Sequence, residues 1–203
     1  MAQLLPPRAP ALPLAPREYS AGNQEQQNDL LRKYFNALDG TLQQLLLGFN
    51  NYGTFIDTTT QTPAVINTAY PITYSTTVEA FGVSVDPTFR SRIVVSRAGV
   101  YNFQFSAQLD KATGGVANTW FWFRKNGVDI ANSASHVVIN GTNDQKVAAW
   151  NYLVTFRAGD YFELVWSADS TAAQVHYVAA VPPVPATPSV IMTVCYVYPD
   201  AVV

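Results

Sequence analysis

The side chains that could do chemistry are few and scattered. The chain carries two histidines, His136 and His176, one cysteine, Cys195, and 14 carboxylates. Each histidine lies in or beside an apolar run with no cysteine or carboxylate at metal-ligand spacing. Neither an H-E-x-x-H helix nor paired C-x-x-C motifs occur. There is no G-x-S-x-G elbow, P-loop or dinucleotide fingerprint. Asp57, Asp86, Asp110, Asp160 and Asp169 sit where strands end, and Asp favours turns there. A glycosidase pair forms in space, so dispersed carboxylates leave it open. Cleaving a polymer would however need a long groove, more than so small a domain offers. With one cysteine no intramolecular disulfide forms. Cys195, inside Thr193-Val194-Cys195-Tyr196-Val197, reads as a buried small apolar residue, with a catalytic thiol as the alternative. Asn140-Gly141-Thr142 matches a glycosylation acceptor, an incidental match in a cytoplasmic chain. The expectation is a non-enzymatic protein with no cofactor and no metal.

Composition points the same way. The 203 residues allow one ordinary domain and an appendage. Charged residues make up only 13% of the chain, about half the usual share. Aromatics also reach 13%, a balance that suits β-sheets and implies surface buried in an assembly. The net charge is −2, no basic stripe is visible, and no Lys or Arg follows Arg157, so no nucleic-acid partner is expected. No apolar run approaches the ~18 residues that span a membrane. Prolines interrupt the N-terminal apolar stretch, so it does not read as a signal peptide. Assembly in a cytoplasm, with release by lysis, is the expectation.

Three regions must position whatever the protein presents. Residues 1–22 form a Pro-rich segment, with Pro6, Pro7, Pro10, Pro13 and Pro16 excluding helix and strand ladder. It reads as extended, either a disordered tail or an arm lying on a partner. Leu4, Leu5, Leu12 and Leu14 favour the arm. Residues 23–50 carry the one helical pattern, with Ser20 or Asn23 as candidate cap. Leu31, Phe35, Leu38, Leu42, Leu45 and Phe49 alternate at spacings of four and three, the seam of a left-handed coiled coil. The seam predicts a short trimeric stalk, the alternative being an amphipathic helix packed on its own domain, and Gly40 weakens it.

Residues 51–203 read as all-β. Candidate strands are 54–60, 78–85, 92–96, 100–109, 119–124, 135–139, 146–156, 161–167, 174–178 and 190–198, about ten in all and the density of an antiparallel sandwich or jelly roll. In 100–109, Tyr101, Phe103, Phe105, Ala107 and Leu109 share one face and polar residues the other. Trp120-Phe121-Trp122-Phe123 is bulky on both faces. Its second face, with Trp120 and Trp122, wants a neighbouring subunit or an overhanging loop. Asn126-Gly127 signals a hairpin, Ala98-Gly99 and Ala158-Gly159-Asp160 tight reversals, and 180–188 a stiff Pro-rich loop.

The ordered set Gly99-Val100-Tyr101-Asn102-Phe103, Lys125-Asn126-Gly127-Val128 and Ala158-Gly159-Asp160-Tyr161-Phe162-Glu163-Leu164 resembles the trimeric jelly-roll family of complement globular heads and tumour necrosis factor, over about residues 53–198. Within it the chain is more similar to small structural proteins of tailed bacteriophages, marine and cyanobacterial ones above all. That similarity rests on Phe55-Ile56-Asp57-Thr58-Thr59-Thr60-Gln61, Phe105-Ser106-Ala107-Gln108-Leu109, Trp122-Phe123-Arg124-Lys125-Asn126-Gly127, Pro188-Ser189-Val190-Ile191 and the opening Arg17-Glu18-Tyr19. Two departures stand out: the family's glycine at the very end is missing, and the acidic loop residues of its calcium sites have no match. The resemblance implies a homotrimer displayed on a virion, as capsid decoration (cement) protein or head fibre. The arm would dock on the major capsid protein or another virion protein. The alternative is a tail fibre or receptor-binding protein touching a host-surface glycan or receptor, motivated by the aromatic pool Trp120, Trp122, Trp150, Trp166 and Tyr177.

Overall fold

A computed structural model describes residues 8–14, 17–48, 51–142 and 144–198, the side chains of 44–48 excepted. The chain divides into two compact units, one holding the helix and the other all the named strands.

In the first unit, helix α1 spans Ala21–Gly48. Of the two candidate caps, Ser20 serves: its Oγ accepts the Asn23 N–H at 3.3 Å, and its carbonyl accepts the Gln24 N–H at 3.1 Å. The capping side chain satisfies a donor that a helix start leaves orphaned. Residues 8–14 have no regular structure, and the Gln27 amide donates to the Pro13 carbonyl at 3.3 Å, tying this stretch to the helix. No helix among the described residues is long and apolar enough to cross a membrane.

The second unit is an all-β sandwich. In chain order its strands are β1 (Tyr52–Asp57), β2 (Tyr70–Pro71), β3 (Thr76–Phe81), β4 (Val83–Val85), β5 (Ile93–Val95), β6 (Gly99–Lys111) and β7 (Ala117–Lys125). There follow β8 (Val128–Asp129), β9 (Ser135–Ile139), β10 (Lys146–Phe156), β11 (Tyr161–Ala168), β12 (Ala173–Val175) and β13 (Val190–Tyr198). Sheet A runs β10-β6-β13-β1-β3, with β12 also on β6. Sheet B runs β4-β5-β11-β7-β8, with β2 on β11 and β9 on β7. All named pairings are antiparallel. From β5 onward the chain crosses repeatedly between sheets, the winding of a jelly roll.

The core is where the two inner faces meet. Tyr101, Phe103, Phe105, Ala107 and Leu109 of β6 are all buried, as their alternation predicts. Phe103 stacks on Phe162 of β11 with ring centroids 3.9 Å apart. Phe105 packs near Phe121, Phe123 and Trp150. Each such ring removed from water contributes about 1.5–3 kcal/mol.

Several expectations need correction. The stretch 78–85 is two strands, because Gly82 turns at φ 68 between them. Its carbonyl accepts from the Ser96 hydroxyl at 2.7 Å and the Asn51 amide at 3.3 Å, so the break is held in place. Cys195 is exposed, not buried: the period of two along β13 sends Val194 and Tyr196 inward and Cys195 out. The Pro-rich loop before β13 folds back on itself. Val178 exchanges backbone hydrogen bonds with Thr187, and Val181 with Val184. The strand before it ends at Val175 rather than 178. The two-residue strands β2 and β8 were not expected, and β6 extends to Lys111. There the buried ammonium donates to the carbonyls of Gly114 and Gly115 at 2.9 Å and of Val116 at 3.4 Å. A lysine is thereby the internal cation of a glycine loop.

Two measurements check this description. Phe103→Ala should cost about 3–5 kcal/mol, read as a lower urea midpoint, with Phe103→Leu less damaging. Lys111→Met should cost about 1–3 kcal/mol by removing three hydrogen bonds from a buried ammonium to the loop carbonyls. It should also open the 112–116 loop to limited proteolysis, whereas an unchanged melt and cleavage pattern would remove the ammonium from the list of loop anchors.

Candidate functional site

The dispersed titratable groups do not converge. His136 points outward from β9, with Nε2 2.9 Å from Asn118 Oδ1, and His176 follows β12 with Nδ1 3.5 Å from Thr60 Oγ1. No group of three or more His, Cys, Asp or Glu able to hold a metal ion occurs among the described residues. The strand-end carboxylates are engaged in turns. Asp57 Oδ1 accepts the Thr59 N–H at 2.6 Å, and Asp86 Oδ1 accepts those of Thr88 and Phe89 at 2.8 and 3.0 Å. Asp160 Oδ1 accepts the Asn126 amide at 2.9 Å, and its Oδ2 accepts the Arg157 N–H at 2.8 Å and lies 3.2 Å from Lys125. Asp169 accepts both the N–H and the amide of Asn118, at 2.8 and 2.6 Å.

What the sandwich presents instead is two outer faces of contrasting chemistry. Sheet B carries a charged network on its outer side, with Glu163 itself buried. Register aligns Asp129, Arg124 and Glu163 across β8, β7 and β11, and Arg92 continues the row. Signs alternate: Arg124 Nε is 2.7 Å from Asp129 Oδ1, and Arg92 Nε is 3.6 Å from Glu163 Oε1, which also accepts the Ser91 hydroxyl at 2.7 Å. The Arg92 guanidinium lies over Phe89 and Tyr161, 4.0 and 4.4 Å from the ring centres. The hydrogen bond from Arg124 chiefly holds the Asp129 carboxyl below the usual aspartate range, against a smaller push from burial.

Trp120 and Trp122 belong to this face. Trp122 donates its indole N–H to Asp129 Oδ1 at 2.9 Å. Trp120 stacks on His136, with centroids 5.1 Å apart and planes 13° from parallel. Of the two covers expected, a neighbouring subunit or an overhanging loop, the described residues show contacts from β8 and β9 of the same chain. The rest of the aromatic pool is sorted by depth: Trp166 is fully buried, and Trp150 packs against the core from β10.

Sheet A turns out a neutral face. Register assembles three rows across β3, β1, β13, β6 and β10. The first is Phe81, Tyr52, Cys195, Asn102, Leu153; the second Glu79, Thr54, Thr193, Gln104, Asn151; the third Thr76, Ile56, Ile191, Ser106, Ala149. Of these fifteen side chains one is charged, Glu79, and it lies on the edge strand β3. A wet sheet face ordinarily carries a mixture of Lys, Arg and Glu. Sequence reasoning did not single this face out. The signal available was the absence of any charged residue from 170 to 198.

On the helix, Leu31 and Leu38 are half-buried, while Phe35 and Leu42 are 58% and 49% exposed, leaving an apolar stripe open. In the arm Leu12 is about half exposed and Leu14 is 94% exposed. Leu4, Leu5, Phe49 and the side chain of Leu45 lie outside the described residues.

No family model matches the chain, and no curated protein matches it. Solved structures do. The crystal structure of murine APRIL at pH 8.5 aligns with a TM-score of 0.46 and 7% identity, covering 71% of this chain and 98% of that one. Murine APRIL at pH 5.0 aligns at 0.44 with the same identity and coverage. The strand pairings themselves make the described head an all-β, two-sheet antiparallel sandwich.

Proposed function

We propose that this chain is a non-enzymatic structural protein whose heads assemble as a homotrimer through the outer face of sheet A. The observation that carries the reading is that three central rows of that face hold a single charge, Glu79, in fifteen side chains, with Asp110 farther along β6. Thr, Asn, Gln and Ser beside Tyr52, Ile56, Ile191 and Leu153 cost little to desolvate once their hydrogen bonds are met by a partner. The strand β10 supports a ring over a two-fold pair. It is the edge of sheet A, and its core-side Trp150, Tyr152 and Val154 are only partly covered. An edge seated on a neighbour's face is a heterologous contact, which closes into a ring when the rotation allows. The open stripe of α1 supports the same reading, since its spacing of three and four is that of a bundle seam.

The placement on a bacteriophage particle, as capsid decoration or head fibre, rests on the sequence resemblance set out above. In this reading the leucine-bearing arm, with Leu12 and Leu14 exposed, docks on the major capsid protein or another virion protein.

The assembly is tested by the mass of the full chain in solution. At micromolar concentration, light scattering should give three times the 22.2 kDa of one chain. Cys195 reports the same event, because it is exposed in the single chain and sits on the assembling face. Its reaction with a maleimide should be slow in the assembled protein. It should become fast in Thr193→Arg, which places a charge in the middle row. A wild-type monomer, or a Thr193→Arg trimer with unchanged Cys195 reactivity, would count against this face. Immunogold labelling of intact particles then separates capsid from tail.

A further inference from the structure

The geometry points to a carbohydrate-binding patch on the outer face of sheet B, built on the rings of Trp122 and Trp120 and rimmed by Asp129, Arg124 and His136. It lies on the face opposite the assembling one and does not depend on that assembly.

Both indoles are fixed before any ligand arrives. Trp122 is clamped through its N–H to Asp129, whose Oδ1 also takes Arg124 Nε. Trp120 is held by the His136 ring, His136 by Asn118, and Asn118 by Asp169. The two tryptophans are two residues apart on one strand, so their Cα atoms stand about 7 Å apart on the same face. Rings locked in this way lose little freedom on binding.

The rim still has hydrogen-bonding capacity. Asp129 uses Oδ1 for both of its contacts, which leaves Oδ2 as an acceptor. Arg124 engages Asp129 through Nε, which leaves its terminal nitrogens as donors. His136 uses Nε2, which leaves Nδ1. Flat apolar rings beside an acceptor, donors and an imidazole match a pyranoside, which offers a C–H face and a rim of hydroxyls.

The surroundings argue against other partners. A protein hot spot has an apolar centre depleted of charge. Here the residue beside Trp122 on β11, Val165, is fully buried, and Asp129 and Arg124 adjoin the ring directly. Single-stranded nucleic acid also stacks on tryptophan, but it needs a basic groove. The row Asp129, Arg124, Glu163, Arg92 alternates in sign, and the chain carries −2 overall.

The test applies labelled full-length protein to a printed array of bacterial and plant oligosaccharides, followed by calorimetric titration of the best-retained free oligosaccharide. Wild-type protein should bind. Trp122→Ala and Asp129→Asn should each weaken binding at least about tenfold, with near-UV circular dichroism and assembled mass unchanged. Asp129→Asn keeps the shape of the rim, so it stands if the tryptophan variant fails to fold. Three results would overturn the patch: no retention above a denatured control, retention that both variants leave within about twofold, or retention only of polyanionic glycans that salt abolishes. The mass readout keeps failure here distinct from failure of the trimer.

Discussion

Phe103 and Phe162 face each other across the gap between the sheets, and the strands that carry them organise everything else. The β6 strand pairs with β10 on one side and with β13 and β12 on the other, so its register sets sheet A. Across the gap, β11 pairs with β7, β5 and β2 and sets sheet B. Once Tyr101, Phe103 and Phe105 turn inward, the period of two leaves no choice about what turns outward. Asn102, Gln104 and Ser106 must share a surface with whatever β13 and β10 bring alongside. The outer faces are thus consequences of core packing, and their chemistry follows from the residues at alternate positions.

Much of this was legible in the sequence. The strands β9, β10 and β13 begin and end where β-branched and aromatic runs begin and end. The Asn126-Gly127 hairpin forms with φ 48 and 80 at its two central residues. Three features were not legible, each for a physical reason. The break at Gly82 depends on hydrogen bonds from Asn51 and Ser96, which are distant in sequence. The strands β2 and β8 are too short to show a period. The exposure of Cys195 turned on the phase of β13, which an almost wholly apolar strand hides from a pattern reader.

The candidate surfaces divide in the same manner. Trp120 and Trp122 announced themselves, because two indoles at alternate positions of a strand that is also apolar inside are unusual. Their partners did not, since Asp129 and His136 reach them only through the hairpin pairings of β8 and β9. The neutral face of sheet A was harder still. Its Thr, Asn, Gln and Ser are equally at home in water, and its rows join residues from five separate strands. One sheet thus settles its polar groups within the chain, and the other leaves its surface uncommitted.

The position of β13 has a consequence for how the head comes into being. It lies between β6 and β1, so Tyr52 finds its partner Cys195, and Asn102 finds the same residue from the other side. Until β13 has been synthesised, sheet A is two separate pieces, each with an unpaired inner edge. Such a sheet closes late, and long-range closure of this kind is slow. The helix precedes the head in the chain and leaves the ribosome before it. Unpaired strand edges of this kind are where neighbouring chains pair wrongly during folding. Insertion of β13 is therefore the step at which sheet A becomes one continuous sheet.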